Sequence, residues 1–102
     1  LRFELINSKE MDKYVGNKHA MIIDVRDKTE FNEMHITDAV NIPIERLEAM
    51  YDKMPKDFIY VLYCNGGGTG ILAAKELFDR GHITRALLGG INAYDGNYIE
   101  SE

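Results

Sequence analysis

Five short apolar runs, at 3–6, 21–25, 39–42, 58–63 and 86–88, alternate along this chain with segments whose apolar residues recur at helical spacing. Parallel strands need long crossovers, and helices supply them, so the alternation predicts an α/β fold: a five-stranded parallel sheet flanked by helices on both faces. The runs at 21–25 and 58–63 are nearly continuous in apolar residues, as strands covered on both sides should be. Ser8 is placed to cap a helix carrying Met11, Tyr14 and Val15 on one face, closed by Gly16 and Asn17. Asp27 and Glu30, three residues apart, read as a capping box for a short helix through Phe31 and Met34. Pro43 suits the first turn of a helix whose Leu47, Met50, Tyr51 and Met54 face the core. Ile71, Ala74, Leu77 and Phe78 give the inward face of a helix stopped at Gly81, and a last short helix follows Gly89 and Gly90. With 102 residues, one domain spanning 1–102 is expected.

The chain's single cysteine, Cys64, stands where the fourth apolar run ends, followed by Asn65, Gly66, Gly67, Gly68, Thr69 and Gly70 before the next helix pattern. The first N–H groups of a helix have no intrahelical partner and carry the positive end of its dipole, so this position favours an anion. A cysteine held there should ionise more readily than a free thiol, and the thiolate is the nucleophile. Four glycines within 66–70 let successive N–H groups turn inward as an anion-binding nest and admit a substrate close to the backbone. The plainer alternative is a flexible glycine loop beside a cysteine that caps the core. In an open parallel sheet, ligands bind beyond the carboxyl ends of the strands, which is where Cys64 falls.

Composition narrows the function classes. Hydrophobic residues make up 45% of the chain and charged residues 28%, ordinary for a globular protein. No apolar run reaches the length of a membrane span and the N-terminus lacks signal-peptide character, so the expectation is a cytoplasmic chain with no membrane partner. A net charge of −5 with scattered basic residues offers no nucleic-acid footprint. One cysteine cannot form an internal disulfide, so any group carried on Cys64 must pass to an external acceptor. His19, His35 and His82 are not spaced as metal ligands, so surface or capping roles are expected, with no metal and no cofactor. Asp24 is expected to orient neighbouring backbone, and Arg26 to pair with Glu30 at i,i+4 beside the loop; both are supporting candidates for the site.

Ile23-Asp24-Val25-Arg26-Asp27 with Glu30-Phe31, then His35-Ile36 with Ala39-Val40-Asn41-Ile42-Pro43, then Tyr63-Cys64 with Gly67 and Ala73-Ala74, and finally Leu88-Gly89-Gly90 stand in order along the chain. Together these segments resemble the four signatures of the rhodanese-like domain family, covering about Met21 to Tyr94. The resemblance implies a six-residue active loop, 64–69, in which Cys64 accepts a sulfane sulfur as a persulfide. Its donor would be thiosulfate, a polysulfide or a persulfide, and its acceptor cyanide, a small thiol or a protein; apart from the resemblance, a monomer is expected, with an oligomer left open. Residues Asn65 to Gly70 would bind the substrate.

The chain departs from the family pattern in ways that bear on substrate. Its loop has no cationic side chain, and Glu30 stands where the thiosulfate and mercaptopyruvate sulfurtransferases carry an arginine. Both changes disfavour thiosulfate, a dianion. Met34 and Asp38 replace usual glycines, Gly70 a frequent serine and Tyr94 a frequent tryptophan. The related phosphatases need an arginine at the seventh loop position, and here that position is Gly70. The competing reading is a binding, regulatory or persulfide-carrier module with little turnover, because fold does not imply function.

Overall fold

A computed structural model describes residues 1–102. In chain order it contains β1 (Phe3–Ile6), α1 (Ser8–Asp12), β2 (Ala20–Asp24), α2 (Lys28–Glu33), β3 (His35–Ile36), β4 (Val40–Asn41), α3 (Ile44–Met50), β5 (Ile59–Tyr63), α4 (Gly68–Asp79), β6 (Ile83–Leu87) and β7 (Ile99–Glu100). The main sheet is five-stranded, ordered β1-β6-β5-β2-β4. Every pairing in it is parallel. The expected fold class is therefore the one observed.

The side-chain period of two divides β5 between the two faces of the sheet. Tyr60, Leu62 and Cys64 share a core with Leu47 of α3 and with Ala73, Ala74 and Leu77 of α4. Val61 and Tyr63 pack on the opposite face with Met11 of α1, Ile36 and Ile91. Cys64 thus continues the α3/α4 side of the strand. Burying large apolar side chains at about 1.5–3 kcal/mol each accounts for why β5, the central strand, is so uniformly apolar.

Several expected elements are shifted, each for a local reason. Asn7, not Ser8, is the N-cap of α1; its side chain accepts from the Glu10 N–H while the Glu10 carboxylate accepts from the Asn7 N–H. Asp27 caps α2 by accepting from the Glu30 N–H at 2.9 Å. The reciprocal half of that box is missing, because the Glu30 carboxylate is turned to Asn65. Pro43 occupies the N-cap of α3, one position before the helix. The last parallel strand starts at Ile83 rather than 86, since Thr84 and Arg85 are buried in it despite their polarity. Arg85 is held there by Tyr14 Oη at 2.9 Å and Glu4 at 3.1 Å. The third apolar run, 39–42, supplies only Val40–Asn41 as strand. An antiparallel ribbon of β3 with β7, at two residues a side, is new relative to the apolar pattern. His82 is buried at 3% exposure, away from the surface role open to it; His35 is buried at 2% but takes the capping role, its Nδ1 lying 2.7 Å from the Phe31 carbonyl in the last turn of α2; His19 is exposed. No helix is long and apolar enough to cross a membrane.

Candidate active site

The carboxyl ends of β2, β5 and β6 deliver three segments to one edge of the sheet: Val25 to Asp27, Cys64 to Gly67, and Leu88 to Gly90. Cys64 leaves β5 directly, is 8% exposed, and is a free thiol. Its Sγ accepts a hydrogen bond from the Gly67 N–H at 3.1 Å, closing a tight four-residue turn. Gly67 is the N-cap of α4 with φ of 107°, and a Cβ there would lie 3.0 Å from the Gly89 nitrogen. Only glycine takes that backbone conformation without strain. The N–H groups of Asn65, Gly66, Gly68, Thr69 and Gly70 have no acceptor within the protein. A cluster of free donors at a helix N-terminus is a site for negative charge.

The irregular loop is four residues long, because Gly68 and Thr69 already belong to the first turn of α4. The six-residue count 64–69 therefore combines a loop and a helix start. The glycines are not equivalent. A Cβ on Gly66 or Gly68 would meet nothing within 4 Å, whereas one on Gly70 would approach Tyr63 Cα to 3.0 Å. Gly70 lets α4 lie close against the end of β5; Gly66 and Gly68 leave the outer side of the nest open.

The turn after β6 supports the loop from behind. The Ile91 N–H donates to the Cys64 carbonyl at 2.9 Å and the Asn92 N–H to the Asn65 carbonyl at 3.0 Å. Gly90, with φ of 61° and ψ of −161°, lets this approach occur: a Cβ there would stand 2.3 Å from the Asn65 oxygen. Gly89 and Gly90 are expected to make a turn, and that turn is also a brace for the cysteine loop.

Asp24, fully buried at the end of β2, accepts from the Arg26 N–H at 2.8 Å, orienting the backbone as expected. It also receives the Arg26 side chain, with Nε at 3.1 Å and Nη2 at 2.8 Å from its carboxylate. Burial works against the Arg26 charge, but the Asp24 hydrogen bonds and charge outweigh it and its pKa is raised. Arg26 does not pair with Glu30, which corrects the i,i+4 expectation. Asn65 connects the two instead: its Oδ1 accepts from Arg26 Nη1 at 3.4 Å and its Nδ2 donates to Glu30 Oε2 at 2.7 Å. Beneath them, burial and then the Asp24 charge push the Tyr63 phenol up, and its Oη accepts from the Ile36 N–H at 3.0 Å. The Arg26–Asn65–Glu30 link joins residues far apart in sequence, and no local spacing signals it.

The Rhodanese-like domain model matches residues 7–97. The chain belongs to the rhodanese-like domain family. It is 32% identical over 87 residues to a tRNA sulfurtransferase of Desulfurococcus amylolyticus, covering 85% of this chain and 17% of that protein. It is 24% identical over 103 residues to the thiosulfate sulfurtransferase GlpE of Coxiella burnetii, covering 100% of this chain and 96% of the relative. A rhodanese-related protein from Thermoplasma volcanium superposes with a TM-score of 0.85 at 25% identity, covering 97% of this chain and 99% of that one. The chain thus spans under a fifth of the tRNA sulfurtransferase it matches and nearly the whole of the small thiosulfate sulfurtransferase.

Proposed function

We propose that this rhodanese-like domain is a sulfurtransferase that carries a sulfane sulfur on Cys64. The observation that supports it most directly is the Gly67 N–H bonded to Cys64 Sγ at 3.1 Å, surrounded by unused N–H groups from Asn65 to Gly70. In the first half-reaction the Cys64 thiolate attacks the outer sulfur of a persulfide donor RS–SH. A Cys64 S–S bond forms, the donor S–S bond breaks, and RS⁻ leaves with the bonding pair and takes up the proton of the transferred sulfur, so that RSH departs and the Cys64 persulfide is left as its anion. The loop N–H groups then hold the terminal sulfur of the anionic persulfide. An acceptor thiolate or cyanide attacks that sulfur, and the Cys64 thiolate is released. Losing one donor of this kind costs a typical oxyanion site about 3 kcal/mol, so a nest of several is an adequate source of stabilisation.

The absence of any loop cation favours, as second reading, a persulfide carrier that exchanges sulfur with a partner protein and turns over small anions poorly. Intact mass after incubation with thiosulfate, polysulfide or glutathione persulfide tests both. A gain of one sulfur, reversed by cyanide and absent in Cys64→Ser, supports the loaded cysteine that both readings share, and catalytic thiocyanate production from a small donor separates the transferase from the carrier. A folded, reduced protein that gains no sulfur from any donor refutes both.

A further inference from the structure

We propose that His35, Glu100 and Glu102 form a divalent-metal site of the zinc class, which ties β7 and the residues after it to β3. The imidazole is fixed before any ion arrives. Its Nδ1 lies 2.7 Å from the Phe31 carbonyl, an atom that can only accept, so Nδ1 carries the proton. The ring is 2% exposed and stacks on Phe31 at 3.7 Å and 8°. A backbone carbonyl on one ring nitrogen is the partner that orients metal-binding histidines and makes the other nitrogen more basic.

The other nitrogen, Nε2, faces two carboxylates, Glu100 Oε1 at 3.5 Å and Glu102 Oε2 at 3.4 Å. These distances exceed the roughly 2.7–2.9 Å of a charge-assisted N–H···O bond. They equal the edge of a tetrahedron around an ion: bonds of about 2.1 Å place neighbouring ligand atoms about 3.4 Å apart. All three ligand atoms lie within 4.8 Å of one another, so two carboxylates are held side by side against one imidazole. Strand pairing explains the convergence. His35 is directly opposite Glu100 in the ribbon, and Glu102, two residues further, returns to the same face while its N–H donates to the Asn32 carbonyl at 2.9 Å. The carboxylates are half exposed, so an ion can reach them and the outer oxygens can close on it. One nitrogen and two oxygens suit zinc and its borderline neighbours, with a fourth position left to water.

The test is calorimetric titration of the untagged Cys64→Ser chain with zinc chloride, a background that removes the only thiol, together with the visible absorption of bound cobalt(II). The expected result is one equivalent bound with a Kd below about 100 μM and a tetrahedral cobalt spectrum. Glu100→Gln and Glu102→Gln, both at half-exposed positions, should each weaken binding at least about tenfold. His35→Gln should abolish the cobalt spectrum if it folds, and the two glutamate variants keep the test decisive if it does not. Weaker binding than that threshold in the parent, or affinity retained by the Glu100→Gln/Glu102→Gln double variant, overturns the assignment.

Discussion

The brace behind the cysteine loop makes a sharp demand on two glycines that look alike in the sequence. Gly90 has φ of 61° and ψ of −161°, a region that is nearly glycine-only and costs other residues about 1–3 kcal/mol. A methyl group there would also lie 2.3 Å from the Asn65 oxygen and 2.5 Å from the Cys64 oxygen, both backbone atoms that cannot swing aside. Overpacking of this sort adds about 1–3 kcal/mol, so Gly90→Ala should cost about 2–6 kcal/mol. Against a total stability of about 5–15 kcal/mol, that is a large fraction. Gly66 is the matched control, because a Cβ on it meets nothing within 4 Å and its φ lies outside the left-handed range. Gly66→Ala should leave stability unchanged or raise it by about 0.4–1 kcal/mol through the unfolded chain. Urea denaturation of both variants at equal m-value measures the difference. Sulfur uptake by intact mass then reports whether the surviving Gly90→Ala fold still presents Cys64 correctly. A loss under about 1 kcal/mol for Gly90→Ala, or an equal loss for Gly66→Ala, would refute the close-approach argument.

Other perturbations follow from the same geometry. Arg26→Met strands the buried Asp24 carboxylate and should cost about 3–5 kcal/mol in denaturant unfolding; a cost within the noise of surface substitutions would mean the pair is dispensable. Gly68→Arg adds a cation where a side chain has open space, and a charge-assisted bond of about 1.5–3 kcal/mol should raise kcat/KM for thiosulfate roughly ten- to hundredfold. An unchanged rate in the folded variant counts against charge as the missing element. His82 is buried with an unpartnered Nδ1, and burial, then Lys56, Arg2 and Arg80, lower its pKa. The unfolded chain therefore binds more protons, and the stabilisation is complete above the unfolded value near 6.5 and fades as pH falls toward the folded value. His82→Phe, keeping the edge contact with Tyr60, should flatten the decline in stability below pH ~6.5 relative to wild type; parallel curves would contradict this.

The main sheet was legible because its central strands are apolar on both faces, and that pattern needs no knowledge of partners. The nest was legible for a related reason: a cysteine, a glycine run and a helix pattern in succession leave few backbone paths. What escaped depends on contacts between distant segments. Arg85 has no local signal of burial; Glu4 and Tyr14, brought from distant segments, hold it there. Glu30 completes a capping box by spacing alone, yet Asn65 captures its carboxylate from 35 residues away. The β3/β7 ribbon is two residues wide and has one apolar pair, Ile36 with Ile99, too little to register as strand periodicity. The burial of His35 and His82 escaped in the same way. His35 depends on a carbonyl one helical turn back and on the chain's last strand, neither of which its own neighbours announce.

The charge arrangement around Cys64 has a consequence for which donors the proposed transferase can use. Arg26 is the cation nearest the loop in the bonding network, but each of its nitrogens is already engaged: Nε and Nη2 with Asp24, Nη2 also with the Met34 carbonyl, and Nη1 with Asn65. Its charge is balanced inside the protein before a substrate arrives. Asn65 then presents Glu30 on the other side of the same amide, so the loop faces a net acidic link. What remains for an incoming anion is backbone: free N–H groups and a helix end worth about half a charge. That supply matches a singly charged persulfide formed in place better than a dianion that must shed its hydration to enter. Stabilisation is thus directed at the intermediate rather than at an anionic substrate, the condition under which binding energy accelerates a step instead of merely holding the reactant. A neutral or protein-delivered sulfur is the donor class this arrangement fits.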